Sequence, residues 1–503
     1  MRKFLFLSLS LLLFFSFPTH QHAETVTYPN QVNVSIYSST SFSINLAGTY
    51  QLVNLQTGEK SILSTGSKTV TKSGSNVTLT DGATVYQSST GFKMNEIQGG
   101  VKQVSFLADT PIYKGATTSY AIATVAPKGS IAAYNDTFTN GSGEIWYNVT
   151  LNGTTGWVQS VSSQLIDSPV VPLATVNNLK YRGSFELKPS GEKVQVINQL
   201  DMEDYLKGVV PSEMPSSWHI EALKAQAIAA RSYAQNSMNL SNTTSSQVYR
   251  GFSGETARTN QAIEETKGLL VKYNGKPIQT FFYSTSGGRT SNVGDVWNSN
   301  QSSFPYLVSV EDKYEVSPYS SWSYTFSALS VLKQFGFNDS TILYDVLSVP
   351  SGANGEVRAV TVKTSNGDKT ISGNESVIRK LFPTGESKYY NQILSNWFTI
   401  KVNKEQKDLS VQTAAGTEDL SAVKGQMVQT AAGVQTISEE NVTVQTANGR
   451  ISTVGGVDSI VLNGKGWGHR IGMSQYGAKG YAENGWTAEQ ILTHYFQGTT
   501  VSK

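Results

Sequence analysis

Residues 196–234 read VINQLDMEDYLKGVVPSEMPSSWHIEALKAQAIAARSYA. Their second half predicts a helix over 217–239. Ser216 or Ser217 can cap it, and Glu221 falls in its first turn, where a carboxylate is favourable against the helix dipole. Ile220, Leu223, Ala227, Ala230 and Ala234 share one face at three- and four-residue spacing, and the alanines on it allow close packing. Just ahead lies Gly208-Val209-Val210-Pro211-Ser212-Glu213-Met214-Pro215. Two prolines stiffen this segment, which reads as a loop. Val209, Val210 and Met214 give Glu213 an apolar surround. A carboxyl so placed is expected to have a raised pKa and to stay protonated near neutral pH. The same composition also fits a solvent-facing loop glutamate, and the pattern leaves both readings open.

Working outward, residues 175–398 mix helices and strands. A second helix is predicted over 256–267, stopping at Gly268. A hairpin follows, from Leu269–Tyr273 through the Asn274-Gly275 turn to Ile278–Tyr283. Upstream, residues 24–100 alternate as strands do, with Val32, Val34 and Ile36, then Phe42, Ile44 and Leu46, and turn signals such as Thr57-Gly58. Residues 101–167 form a further β module with a turn at Pro127-Lys128-Gly129 and strands around Trp146 and Trp157, and Ser168–Pro172 reads as a linker. Within 399–457 the phrase Val-Gln-Thr-Ala-Ala-Gly at 411–416 recurs at 428–433 and, as Val-Gln-Thr-Ala-Asn-Gly, at 444–449, predicting a repetitive β insert. Residues 458–503 are glycine-rich, with a last helix near Thr487–Tyr495. The expected class is α+β: a β-rich multidomain chain with a mixed helix/strand domain.

The 503 residues include no Cys, 39 basic and 37 acidic residues, and a formal charge of +2. Without Cys there is no disulfide, no thiolate metal site and no cysteine nucleophile. The start, Met1-Arg2-Lys3 followed by an apolar Phe4–Phe17 and Pro18, has a secretory signal layout, with cleavage expected near Ala23; an uncleaved anchor is the alternative. Removing Arg2 and Lys3 leaves 37 basic against 37 acidic residues, which argues against bulk attraction to nucleic acid. The protein is expected outside the cytoplasm, secreted or on the extracellular face of the membrane.

Only acid chemistry stands out. No Gly-x-Ser-x-Gly elbow precedes a helix, and the Gly-rich Ser284–Gly288 lacks the Lys of a phosphate loop. His219, His469 and His494 do not have zinc-ligand spacing. No cofactor or metal is expected.

Several long motifs, in order, resemble the SpoIID/LytB family. They are YRGSFEL at 181–187, the 196–234 run, ETKGLLVKYNGKPIQTFFYSTSGGRTS at 265–291, PYLVSVED at 305–312 and GKGWGHRIGMSQYGAKGYAENGWTAEQILTHYFQGT at 464–499. WYNVTLNGTTGWV at 146–158 resembles the end of a bacterial SH3-like domain, a module that often binds cell-wall peptides; a purely structural barrel packed on Trp146 and Trp157 is the other reading. With the residue patterns above, the resemblance divides the chain into a signal peptide (1–23), a β-rich region (24–100), an SH3-like domain (101–167), a first SpoIID/LytB part (175–398), the insert (399–457) and a second part (458–503).

The family resemblance implies peptidoglycan as substrate. SpoIID-like members are lytic transglycosylases acting on strands stripped of stem peptides, and the family's catalytic glutamate maps onto Glu213. Such an enzyme needs one carboxyl, which protonates the glycosidic oxygen and then helps the muramoyl C6 hydroxyl attack C1, leaving a 1,6-anhydro end. The LytB branch instead implies a non-catalytic, wall-bound enhancer of an N-acetylmuramoyl-L-alanine amidase. Partners would be glycan strands and that amidase or other sporulation hydrolases. Tyr283, Ser284, Ser286, Gly287 and Gly288 are implied to line the sugar groove. Trp297 and Tyr306 fit sugar stacking or core packing. Gln226 and Arg231, on the helix that follows, are implied to bind substrate; for Arg231 a structural salt bridge to Glu203 or Asp204 is the other reading. His469, with Gln475 and Tyr476, is implied to contact substrate or orient Glu213, or to be structural. Two departures stand out. Arg470 occupies a family glycine, so the backbone differs there or a cation enters the groove. Tyr283 stands at the His-like place of a zinc site found in some relatives, so that site does not carry over.

Overall fold

A computed structural model describes residues 28–97, 102–167, 171–386, 391–404 and 456–503, with three short hairpins between 409 and 452. The expected signal peptide lies outside these residues. No described helix is long and apolar enough to cross a membrane.

Strands dominate, with a small number of helices packed on them. The β-rich region read as separate over 24–100 shares its sheets with the segment after 173. Gln31–Ser39 pairs with Lys193–Asp201, and Phe92–Glu96 pairs with Ser184–Ser190 in one seven-stranded sheet. Ser41–Ala47 pairs with Leu173–Val176 in a six-stranded one. The alternation at Val32, Val34, Ile36, Ile44 and Leu46 turns these side chains inward, into one core with Leu206, Val209, Val210, Ala227 and Ala230. That core is what holds the helices bearing the site.

Residues 102–167 leave and return between the two sheet systems. They form a seven-stranded antiparallel sheet around Val104, Phe106, Ile112, Val149 and Val158. Trp146 is fully buried against Tyr113, whereas Trp157 is half-buried against Phe138.

Two helices position the acid: α1 (Met202–Glu213) and α2 (Ile220–Asn236). α1 corrects the loop expected around Glu213. Pro211 sits in its last turn, Ser212 Oγ donates to the Gly208 carbonyl at 2.8 Å, and Met214 N–H closes on the Val210 carbonyl. The helix stops because Met214, preceding Pro215, is extended (φ −127°, ψ 138°). α2 begins later than expected and is capped by His219, whose side chain accepts from Glu221 N–H, rather than by Ser216 or Ser217. Its Ala-rich strip packs closely, as the composition required.

A second core joins α2 to the C-terminal helices Gln475–Glu483 and Ala488–Tyr495, the latter carrying a capping box on Thr487. The predicted helix over 256–267 is Ala257–Glu265. In the predicted hairpin, Leu270–Tyr273 pairs with Lys276–Pro277, but Phe282–Tyr283 leaves it to run parallel with Met473–Ser474. That pairing brings two segments 191 residues apart into the site. A third core, built on Phe326, Phe335, Val360, Phe382 and Ile460, organises residues 322–404 with Val457–Gly464. The repeats form three hairpins, closed by Thr413 with Gly416, Thr430 with Gly433 and Thr446 with Gly449.

Candidate active site

Glu213 projects from the last turn of α1 into a cleft of about 520 Å³. Tyr233 of α2, Phe281–Ser284, Trp297, Trp467–His469 and Gln475 complete much of the wall. Val248 N–H donates to Glu213 Oε1 at 2.8 Å, and Gln475 Nε2 donates to Oε2 at 3.3 Å. Both donors are neutral, and no cation pairs with this carboxyl among the described residues. Burial therefore wins: it pushes the Glu213 pKa up, with the Val248 and Gln475 hydrogen bonds opposing. Glu213 is half-buried and lines the cleft.

Gln475 is held from behind. It starts the helix Gln475–Glu483, whose N-cap Ser474 accepts from Gly477 N–H and donates to Glu315 at 2.6 Å. Glu315 also accepts from Gly287 N–H at 2.8 Å and from Ser286 N–H. Beside it, Asp312 is buried and pushed up to about 7, by burial first and by the Glu315 charge second; Tyr495 donates to it at 2.8 Å.

Tyr283, Ser284, His469 and Gln475 are thus brought into the cleft with Glu213. Ser286, Gly287 and Gly288 turn away from it. Gly287 is where two backbones touch: at φ 77°, a Cβ there would lie 2.7 Å from Lys465 Cβ. Gln226 is fully buried on α2, outside the cleft wall. Arg231 is buried in a fork with Glu203, at 2.9 and 2.7 Å, while Asp204 pairs with Lys207. Tyr476 packs edge-on against Trp218, ring centroids 4.9 Å apart. Trp297 reaches the cleft; Tyr306 is buried against Tyr273 and Phe304.

His469 does not orient Glu213. Its Nδ1 accepts from Ile471 N–H at 3.1 Å, its ring bonds the Phe282 backbone, and it packs against Tyr283 and Trp297. Burial holds it down to about 4, so it is a neutral imidazole at ordinary pH.

Arg470 keeps the backbone a glycine would have, at φ 63°. Its side chain does not enter the groove. It is fully buried, donates to the Ser286 and Arg289 carbonyls at 2.9 and 2.8 Å, pairs with Glu356 at 3.4 Å and lies 4.0 Å from the centre of the Trp397 ring. It pins the 322–464 module to the Ser284–Gly288 loop.

The residues missed by sequence reasoning are Val248, Tyr233, Trp467 and the pair Glu375–Arg379. Only the four-residue spacing of Glu375 and Arg379 was visible in sequence. Arg379 pairs with Glu375 and donates to the Ile393 carbonyl at 2.8 Å, so this second glutamate of the cleft wall is neutralised. Among the described residues no three His, Asp or Glu side chains cluster as metal ligands.

Residues 190–273, which span α1 and α2, match the family model for SpoIID, stage II sporulation protein. The chain is 33% identical over 318 residues to an amidase enhancer of Bacillus subtilis (strain 168), over 59% of this chain and 40% of that protein. It is 28% identical over 335 residues to stage II sporulation protein D of the same organism, over 61% of this chain and 76% of that protein. A stage II sporulation protein D of Bacillus amyloliquefaciens is 26% identical over 331 residues. The chain thus spans well under half the length of the amidase enhancer.

Proposed function

Taking as premise a chain of the SpoIID/LytB family, we propose that it is an exported peptidoglycan lytic transglycosylase with Glu213 as its single acid and base. The observation that carries this reading is the state of Glu213: a carboxyl walled in by protein, bonded only to neutral donors, facing an open cleft. Desolvation pushes its pKa up, which favours the protonated form that donates to the glycosidic oxygen. Once ionised, it accepts the proton of the muramoyl C6 hydroxyl as that oxygen closes on C1. One carboxyl acts twice, and no water is activated by a second one. This accords with Glu375, the other acid of the wall, being spent on Arg379. Glycosidases of the two-carboxylate type place their acids as a free pair instead. The indole of Trp297 and the hydroxyls of Tyr233 and Ser284 are suited to sugar faces and hydroxyls. The module over 102–167 is proposed, as an SH3-like wall-peptide binder, to hold the protein at its substrate.

A second reading follows from the relative named amidase enhancer: a wall-bound protein that stimulates an N-acetylmuramoyl-L-alanine amidase without cleaving glycan. Incubation with peptide-free glycan strands separates the two by mass spectrometry. The first reading predicts 1,6-anhydromuramoyl ends that disappear in Glu213→Gln. The second predicts no anhydro ends and undiminished amidase stimulation by that variant.

A further inference from the structure

A second cleft, of about 820 Å³, opens next to the Glu213 site and is not part of it. Its floor is aromatic. Trp322 and Phe398 lie on the strands flanking Val457–Gly464, and both pair with Gly464. A Cβ at 464 would stand 2.0 Å from the Trp322 ring, so the glycine is what lets the indole lie across the strand. The indole Nε1–H donates to the Gly466 carbonyl at 2.9 Å, which fixes the ring in that pose. Trp397 adds a second indole. The buried Arg470 packs on it from inside, and the exposed Lys465 ammonium lies 5.1 Å from its centre. Lys465 has no carboxylate partner among the described residues. Thr399 and Asn463, both exposed, supply a hydroxyl and an amide at the rim.

The two clefts share a wall. Lys465 lines this one and Trp467 lines the Glu213 cleft, two residues further on, at most about 7 Å along the chain. Between them Tyr319 packs edge-on against Trp467 at 4.4 Å, and its carbonyl accepts from Gly466 N–H. A fixed indole platform, a polar rim and one unpaired cation are the chemistry that holds a sugar ring carrying an acid: the ring's C–H face on the π surface, the acid on the ammonium.

Building on the transglycosylase reading, we propose that this cleft is a distal glycan subsite. It takes a peptide-free muramoyl residue of the strand whose scissile bond lies at Glu213, with the pyranose face on Trp322 and the free lactyl carboxylate on Lys465. The subsite would make the protein prefer long strands over short ones.

Binding is measured calorimetrically in the full chain carrying Glu213→Gln, so that no cleavage intervenes. Denuded glycan tetrasaccharides are compared with strands of about a dozen sugars. Long strands are expected to bind about tenfold tighter than short ones. Lys465→Glu, a surface change, and Trp322→Ala should each remove that gain and leave tetrasaccharide binding unchanged. Neutral chitin oligosaccharides of equal length should lack the part of the gain due to Lys465. A length gain that persists in Lys465→Glu, or an equal weakening of short and long strands in both variants, would overturn the proposal. The subsite and the catalytic reading fail separately. A length gain that depends on Lys465, without anhydro ends from the wild type, would uphold the subsite and reject the transglycosylase. Anhydro ends with a length gain indifferent to both variants would do the reverse.

Discussion

Helix α1 carries a glutamate at each end, and the two have opposite fates. Glu203, in the first turn, is buried and gripped by the Arg231 fork, which also donates to the Leu269 and Ile263 carbonyls. Glu213, in the last turn, is bonded to one backbone N–H and one amide. Dipole and environment act together. The helix start favours the Glu203 charge, whereas the carbonyl end at Glu213 opposes one. One acid is thus spent on holding α1 to α2, and the other is left able to exchange a proton. Burial alone does not set the two carboxyls apart; a cationic partner at Glu203 and none at Glu213 among the described residues does.

The largest break in this contrast comes from Glu213→Gln. Anhydro-end formation should fall by about a thousandfold, within the range for losing a general acid, while the melting temperature holds or rises because a desolvated carboxyl is gone. Product analysis beside a thermal melt reads both. Arg231→Met should do the opposite. Stranding Glu203 without its partner should cost about 3–5 kcal/mol of stability by denaturant titration. Arg231→Met combined with Glu203→Leu should recover most of that loss. Gln475→Lys makes the two ends alike by giving Glu213 a cation. The Glu213 pKa should drop by about 1–3 units, and the basic limb of the activity profile should move to lower pH by the same amount.

The smallest effect concerns the acids behind Gln475. Asp312, folded at about 7 against its ordinary 3.8, holds its proton more tightly folded than unfolded. The folded state therefore binds the extra proton between those values, and stability falls as pH rises from about 4 to about 7. Asp312→Asn should flatten that slope, gaining about 1–2 kcal/mol at pH 8 relative to wild type when the two are compared by urea unfolding across pH.

How far all this could be read in the sequence depended on range. α2 was legible because its apolar spacing is local, as were the final helix, the strand alternation from Val32 to Leu46 and the hairpin repeats. α1 was hidden by Pro211 and Pro215, which read as loop signals; a proline in a last turn removes one hydrogen bond, and Ser212 bonds the Gly208 carbonyl close by. The importance of Glu213 was visible, but not its partners. Gln475 lies 262 residues away, and Val248 acts through its backbone, which no side-chain pattern reveals. Arg470 read as a change of backbone or a cation in the groove. It is neither, because left-handed φ at a non-glycine is affordable where a buried side chain gains four partners. The shared sheets linking residues 31–96 to 173–201 were equally invisible, since pairing across a module of some seventy residues leaves no periodic trace.

The central claim is that Glu213 works as a proton carrier without a cationic partner. It is tested most directly by the rate of 1,6-anhydro end formation from denuded glycan between pH 4 and 9, in wild type and Glu213→Gln. The wild type is predicted to lose activity on the basic side through a pKa above the ordinary glutamate value of 4.5, and the variant to run about a thousandfold slower throughout. Retention of the wild-type profile by Glu213→Gln would contradict the claim.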